Sequence, residues 1–356
     1  MNLTMAEEFV QAQAIDYFEK IVSFLPLVLI FIGTIGNISC FFIFRFSSQF
    51  KKIPSMVFLS IVAVTDTTSL FVWNLNYFLE PNFNTILENL SIFNCKFFSF
   101  IQEFSIQSSS NILGIMCIDR FFSIISTPGS IYSKLPFASV KSSYLWIIAV
   151  MLVILSINLH FLITNGNYSH IESTNLTLTE LINGTINNYS YSQREEEICF
   201  WYSSDFNIYP LWDQISIIIY NVIPFTIMLI FNTLLIAKTI LINKSIKKIK
   251  NRETLRAIKR KRRLTISILS ITFAFIVLTL PASIAYGFFL NYFNSMGSRG
   301  KAFLHLLDFF GFFFHSSLFI NCFITNIKFR KYVLTKIRRL FKINKKSPNE
   351  NSNSII

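Results

Sequence analysis

Residues 95–124 read CKFFSFIQEFSIQSSSNILGIMCIDRFFSI. The stretch is mostly apolar and closes on Asp119-Arg120-Phe121, with Arg120 standing 25 residues after Cys95. An adjacent Asp-Arg pair where a hydrophobic segment meets a basic loop is a costly arrangement to keep near a membrane. Its meaning depends on what surrounds it, and six further apolar segments do.

The chain has 356 residues, 52% of them hydrophobic and only 14% charged, with 41 phenylalanines. A soluble domain carries about 25% charged residues. Roughly 20 consecutive apolar residues cross the hydrocarbon core as a helix. Seven such stretches are legible: 21–44, 53–79, 96–124, 141–163, 210–238, 264–290 and 302–326. They consume most of the chain, so one integral membrane domain is expected. The first is read as a retained helix. Residues 1–20 hold Glu7, Glu8, Asp16 and Glu19 against the single base Lys20, whereas a signal peptide begins with a positive region.

Charge sets the orientation, because cytoplasmic loops are rich in Lys and Arg. Arg45, Lys51 and Lys52 follow span 1, and Arg120, Lys134 and Lys141 follow span 3. Twelve basic residues lie between Lys238 and Arg263, and nine between Lys328 and Lys346. Together 27 of the 32 basic residues fall on one side, and the other side holds 13 of the 19 acids against five basic residues. The net charge of +13 is therefore a topology signal, and a nucleic-acid partner is not expected. The N-terminus is placed outside, the C-terminus in the cytoplasm, and the protein in the plasma membrane. Sequons at Asn2, Asn89, Asn167, Asn175, Asn183 and Asn188 all fall outside and are expected to carry glycans, whereas Asn37 within span 1 and Asn243 in the inner loop are not. Cys95 and Cys199 also fall outside, where a disulfide persists, and a bond between them would pin the long loop 165–209 onto the top of span 3. Cys40, Cys117 and Cys322 lie within spans and read as small apolar residues.

With this topology the chain resembles the rhodopsin-like family of G-protein-coupled receptors over roughly residues 21–342. Gly36-Asn37 in span 1, Val62-Ala63-Val64-Thr65-Asp66 in span 2, and Cys95 with Asp119-Arg120-Phe121 in span 3 carry the likeness, as do Trp146, Pro224 and Phe275 six residues before Pro281. Lys328-Phe329-Arg330-Lys331 looks like the start of the family's amphipathic eighth helix. There are departures. Leu278-Thr279-Leu280-Pro281 stands where the family usually reads Cys-Trp-x-Pro, and Asn232 where it often has a tyrosine. The family's Asn-Pro-x-x-Tyr has no clear counterpart; Leu318 to Cys322 or Asn321 to Thr325 could occupy its place. Lys261 stands where some members carry an acid that holds the span-3 arginine.

The resemblance implies an all-α membrane protein, a seven-transmembrane helix bundle followed by a short amphipathic helix. The organisation expected is an extracellular N-terminus over 1–20, the bundle over 21–326, a membrane-surface helix over 327–342 and a disordered cytoplasmic tail over 343–356. In the surface helix Phe329, Val333, Ile337, Leu340 and Phe341 recur at helical spacing between basic residues, the pattern of an interfacial helix.

Three acids lie well inside spans: Asp66, Glu103 and Asp308. Asp66 resembles the family's sodium-binding aspartate, with Ser109 as second ligand; the alternative is a hydrogen-bond hub without an ion, and no other cofactor is expected. Glu103 stands eight residues after Cys95, at the depth of the family's ligand pocket, with Gln102 and Ile106 as neighbours. Amine receptors carry an aspartate one residue earlier, where this chain has Gln102. Tyr286 and Asp308 are further pocket candidates; the plain alternatives are packing for Tyr286 and a solvated rim position for Asp308. Asp119 and Arg120 form the intracellular switch, and Phe275 and Pro281 the moving part of span 6.

These readings point to a non-enzymatic receptor passing the binding of an extracellular ligand, a basic neuropeptide, to a heterotrimeric G protein, with arrestin as a further partner and the lipid bilayer as solvent. Gln102, the tethered loop and the acidic outer rim suggest the peptide. A lipid or other small molecule as ligand, and a divergent receptor that no longer signals, stay open as alternatives; a transporter or channel is more distant. Retinal needs a lysine in span 7, and 302–327 has none.

Overall fold

The computed structural model describes residues 20–126, 131–174, 191–199, 211–246 and 252–345. The glycosylation candidates Asn2, Asn175, Asn183 and Asn188 lie outside them.

Each apolar stretch forms helix. Span 1 is Phe24–Phe46. Span 2 is Pro54–Ser69 followed, after a break, by Val72–Phe83. Span 3 is Ile92–Ile125 and span 4 Val140–Thr164. Span 5 is Leu211–Ile217, a π-helical turn over Ile218–Val222, and Ile223–Ile246. Span 6 is Arg252–Ser295, and span 7 is Ser298–Ser316 with Leu318–Thr325. A last helix, Ile327–Lys345, follows. Local chemistry sets the ends. Pro54 opens span 2 at a position where its missing N–H costs nothing. Ser91 and Ser139 cap spans 3 and 4 by accepting from the backbone N–H groups of Asn94 and Ser142, both at 3.1 Å.

Five of these helices are long and apolar enough to cross a membrane, and the two pieces of span 7, bent by 56° to one another, make a sixth. Span 3 is long but too polar to pass the same test. Its polarity is affordable because it lies at the centre, packed against spans 2, 4, 5 and 6. Gln107, Ser108, Ser109 and Ser110 are wholly buried. The outer spans reverse the rule. Only 17% of span 5 and 22% of span 4 is buried in their most apolar stretches, leaving Leu145, Ile148, Leu152 and Val153 exposed as a surface fit for lipid.

Span 1 comes close to its neighbours through glycine. A Cβ on Gly33 would collide with Leu70 and Ser316, and one on Gly36 would sit 3.0 Å from Phe319. Span 7 bends without proline. Its bend falls at Ser316-Ser317, whose hydroxyls donate to the carbonyls of Phe313 (2.9 Å) and Phe314 (2.8 Å), a competition with the helix ladder that bends helices.

Three features depart from the sequence reading. Span 6 begins at Arg252, so much of the inner basic run is a continuation of the helix rather than a loop. At 1.5 Å per residue its 44 residues extend about 66 Å, well beyond the hydrocarbon thickness. The long loop contains an antiparallel hairpin, β1 (Asn167–Thr174) paired with β2 (Tyr191–Ile198), with Asn167 opposite Ile198 and Thr174 opposite Tyr191. Nothing in the residue pattern of the loop announces it, and it is a small addition to an otherwise helical fold. The last helix extends to Lys345, past the expected 342. Asn326 caps it, its Oδ1 accepting from the N–H groups of Lys328 and Phe329. Phe329 is buried among Phe44, Phe50 and Phe319, whereas Ile337 and Phe341 are exposed.

Candidate functional site

Two clusters occupy the Cys95 end of the bundle. The disulfide Cys95–Cys199 is formed, with a Cα–Cα distance of 5.4 Å; Cys199 directly follows β2, so the hairpin is tied to the top of span 3. Asn89 is exposed nearby. Glu88, outside the spans, is half-buried, and burial pushes its pKa up, opposed by the hydrogen bond from the Asn76 amide.

The first cluster centres on Glu103, which is buried. Its Oε2 accepts from Gln107 Nε2 at 2.9 Å and Ser216 Oγ at 2.8 Å. Asn158 of span 4 donates to Gln107 Oε1 at 2.7 Å. One carboxylate thus organises spans 3, 4 and 5. Ile106 is buried one turn below. Gln102 does not join this cluster: its amide donates to the Ser69 carbonyl (3.2 Å), next to the break in span 2.

The second cluster centres on Asp308 of span 7. Its Oδ2 accepts from the hydroxyls of both Tyr77 and Tyr286, bringing spans 2, 6 and 7 together. Asp308 is buried rather than a solvated rim residue. His305 lies over the Tyr77 ring at 4.6 Å between centroids. Tyr286 and Asp308 were legible as candidates. Tyr77, Gln107, Asn158 and Ser216 were not: a tyrosine or an amide in an apolar run gives no sign of which neighbour it meets.

Midway down, Asp66 and Ser109 are brought together, the hydroxyl donating to Asp66 Oδ1 at 2.5 Å. His315 Nδ1 stands 2.8 Å from the same oxygen, a partner the sequence reading missed. Phe275 is fully buried, edge-on to Tyr220 (5.8 Å) and Phe314 (5.4 Å). The two departures from the receptor pattern in spans 5 and 6 are both filled by hydrogen bonds. Thr279, where the switch tryptophan would precede Pro281, donates to Asn221 Oδ1 in the π-helical turn at 3.2 Å. Asn232 donates to the Thr272 hydroxyl at 2.8 Å. Asn221 also donates to Ser283, beyond Pro281.

At the opposite end, Arg120 Nη2 donates to Asp119 Oδ2 at 3.2 Å. Asp119 is held in turn by the Ala138 N–H, which donates to Oδ1 at 2.6 Å. Ala138 has φ +63°, a conformation that costs a non-glycine residue roughly 1–2 kcal/mol. Trp146 anchors this loop, donating from Nε1 to the Pro136 carbonyl (2.8 Å) and stacking on Phe137. Both residues of the Asp-Arg pair are buried, and Arg120 Nε has no hydrogen-bond partner among the described residues. The side chain of Lys261 lies outside the described set.

The arrangement is a polar seam through the middle of a lipid-facing bundle, with clusters at the Cys95 end, a buried Asp-Arg pair at the other, and hydrogen-bonded links between. Among the described residues no group of three or more His, Cys, Asp or Glu could hold a metal. No curated protein matches the chain. Residues 36–325 match the family described as 7 transmembrane receptor (rhodopsin family). That stretch covers most of the chain, so the protein belongs to the rhodopsin family of seven-transmembrane receptors and is a multi-pass signalling receptor of the plasma membrane rather than an enzyme.

Proposed function

We propose that the receptor binds an extracellular neuropeptide carrying a basic group and passes the signal to a heterotrimeric G protein, with arrestin as a further cytoplasmic partner. The observation that carries the ligand class is the Asp308 cluster. Among the described residues this buried carboxylate is held by two neutral tyrosine hydroxyls and by no cation. A guanidinium entering between Tyr77 and Tyr286 would exchange neutral hydrogen bonds for charge-assisted, bidentate ones, and the two rings add cation–π attraction. Glu103 offers a second carboxylate toward the same end. The 13 acids against five basic residues assigned to the outer side draw a basic ligand by long-range attraction, and the hairpin is tied to the same end of the bundle by Cys95–Cys199.

Transduction follows from the chain of contacts. A ligand that takes over Asp308 releases the Tyr286 hydroxyl from it and so acts on span 6 above Pro281. Pro281 removes one backbone hydrogen bond and gives the helix a pivot. Below it span 6 runs on as a long helix, so a small rotation at the pivot becomes a large displacement at the basic end. The ligand shifts the population toward that open state. Arg120 then leaves Asp119 and meets the G protein.

The test is a G-protein activation screen in cells expressing the full-length chain, with amidated and Arg-containing peptides. The expected result is a peptide response abolished by Arg120→Ala and weakened by Glu103→Gln and Asp308→Asn. Surface expression without any peptide response, but with a response to lipids, would replace this ligand class.

A further inference from the structure

At the centre of the bundle spans 2, 5 and 7 meet on one imidazole, and span 3 joins them through Asp66. His315 of span 7 is 2% exposed and Asp66 of span 2 is 1% exposed. His315 Nδ1 lies 2.8 Å from Asp66 Oδ1, the oxygen that also accepts from Ser109 of span 3. On its other side Nε2 lies 3.2 Å from the Tyr220 hydroxyl in the π-helical turn of span 5. The His315 carbonyl accepts from Asn37 of span 1 at 3.0 Å. His315 immediately precedes the Ser316-Ser317 bend.

Membership of the family implies a sodium ion at Asp66, and these residues do not suit one. Hard cations take oxygen ligands. Asp66 and Ser109 supply oxygens, but the third neighbour supplies a ring nitrogen. Facing a carboxylate at 2.8 Å, that nitrogen must carry its proton and donate. An N–H aimed at Oδ1 holds positive partial charge where the ion would sit. Oδ2 makes no hydrogen bond to a described residue, and it is the oxygen through which a competing cation would have to enter.

We infer that the His315 side chain takes the position of the cation in this receptor, so that Asp66 binds no sodium and spans 2, 3, 5 and 7 are joined by a group that cannot dissociate. This does not depend on the identity of the extracellular ligand. An ion-filled core loses its link whenever the ion leaves. Here the link is covalently part of span 7 and moves only with the bend that follows it.

The test is thermal unfolding of the purified full-length receptor in detergent, followed by the fluorescence of its four tryptophans, in sodium chloride against choline chloride at equal concentration. The wild type and H315N, which keeps an N–H donor, are expected to unfold at the same temperature in both salts. H315S, which replaces the ring by a small hydroxyl, is expected to gain a rise specific to sodium, and H315S/D66N to lose it. A sodium-specific rise in the wild type that D66N removes would overturn the inference. So would a folded H315S that ignores sodium, since removing the occupant would then open no cation site. If H315S does not fold, the wild type against D66N still decides.

Discussion

Spans 3 and 4 lie side by side and are built on opposite rules. Span 3 carries Gln102, Glu103, Gln107 and four serines within twelve residues and buries all of them. Span 4 carries a long aliphatic stretch through its middle, and most of that stretch faces outward. In water the apolar helix would take the centre. In a bilayer lipid solvates leucine as well as protein does, so apolar surface gains nothing by burial, and polar groups collect where they can bond one another. Polarity, and not hydrophobicity, therefore marks the inside of this molecule, and its polar seam is also where the proposed ligand contact, the proposed coupling and the His315 link lie.

The contrast can be broken first at Ser109. Ser109→Leu makes span 3 more apolar, yet it overfills a buried site, costing about 1–3 kcal/mol, and removes the hydroxyl from Asp66. The expected result is a sharp loss of folded receptor at the cell surface and a lowered unfolding midpoint. A gain in stability from this hydrophobic substitution would contradict the rule. Next comes Asn158, the buried polar residue through which span 4 reaches Gln107. Asn158→Leu is expected to cost about 0.6–1.7 kcal/mol, from the average to the largest value measured for hydrogen bonds between membrane helices, and to weaken ligand response by freeing Gln107 beside Glu103. Dose–response curves alongside unfolding midpoints separate the two effects. The smallest effect is expected on the lipid face. Leu152→Ile or Ile148→Leu should leave stability within about 0.5 kcal/mol, and a larger loss in detergent-purified protein would mean that this face packs against something other than lipid.

Much of the frame was legible because membrane spans announce themselves by length and composition. Asp119-Arg120, Cys95 with Cys199, and Asp66 with Ser109 were placed together from sequence, and the structure pairs each of them. What sequence could not show was who meets whom over long separations. His315 in a run of phenylalanines reads as packing until the fold carries it to Asp66, 249 positions away. Tyr77 is similar: it acquires meaning only when spans 2 and 7 bring it to Asp308. The inner extension of span 6 looks like loop because it is charged, although Arg, Lys, Glu, Leu and Ala are all strong helix formers. The hairpin was hidden because its strands, Asn167–Thr174 and Tyr191–Ile198, are polar with no clear alternation of apolar residues.

The central claim is that a ligand's basic group meets a carboxylate of the polar seam. The most direct measurement takes a peptide that activates the receptor and compares it with the same peptide carrying citrulline, a neutral isostere, in place of arginine, on the wild type, Asp308→Asn and Glu103→Gln. The account predicts that neutralising the peptide costs the wild type about 10–100-fold in potency, within the 1.5–3 kcal/mol scale of a hydrogen bond to a charged group. It also predicts that one carboxylate variant, Asp308→Asn foremost, no longer distinguishes the two peptides. An equal loss in the wild type and in both variants would mean that the basic group binds elsewhere, and the claim would fail.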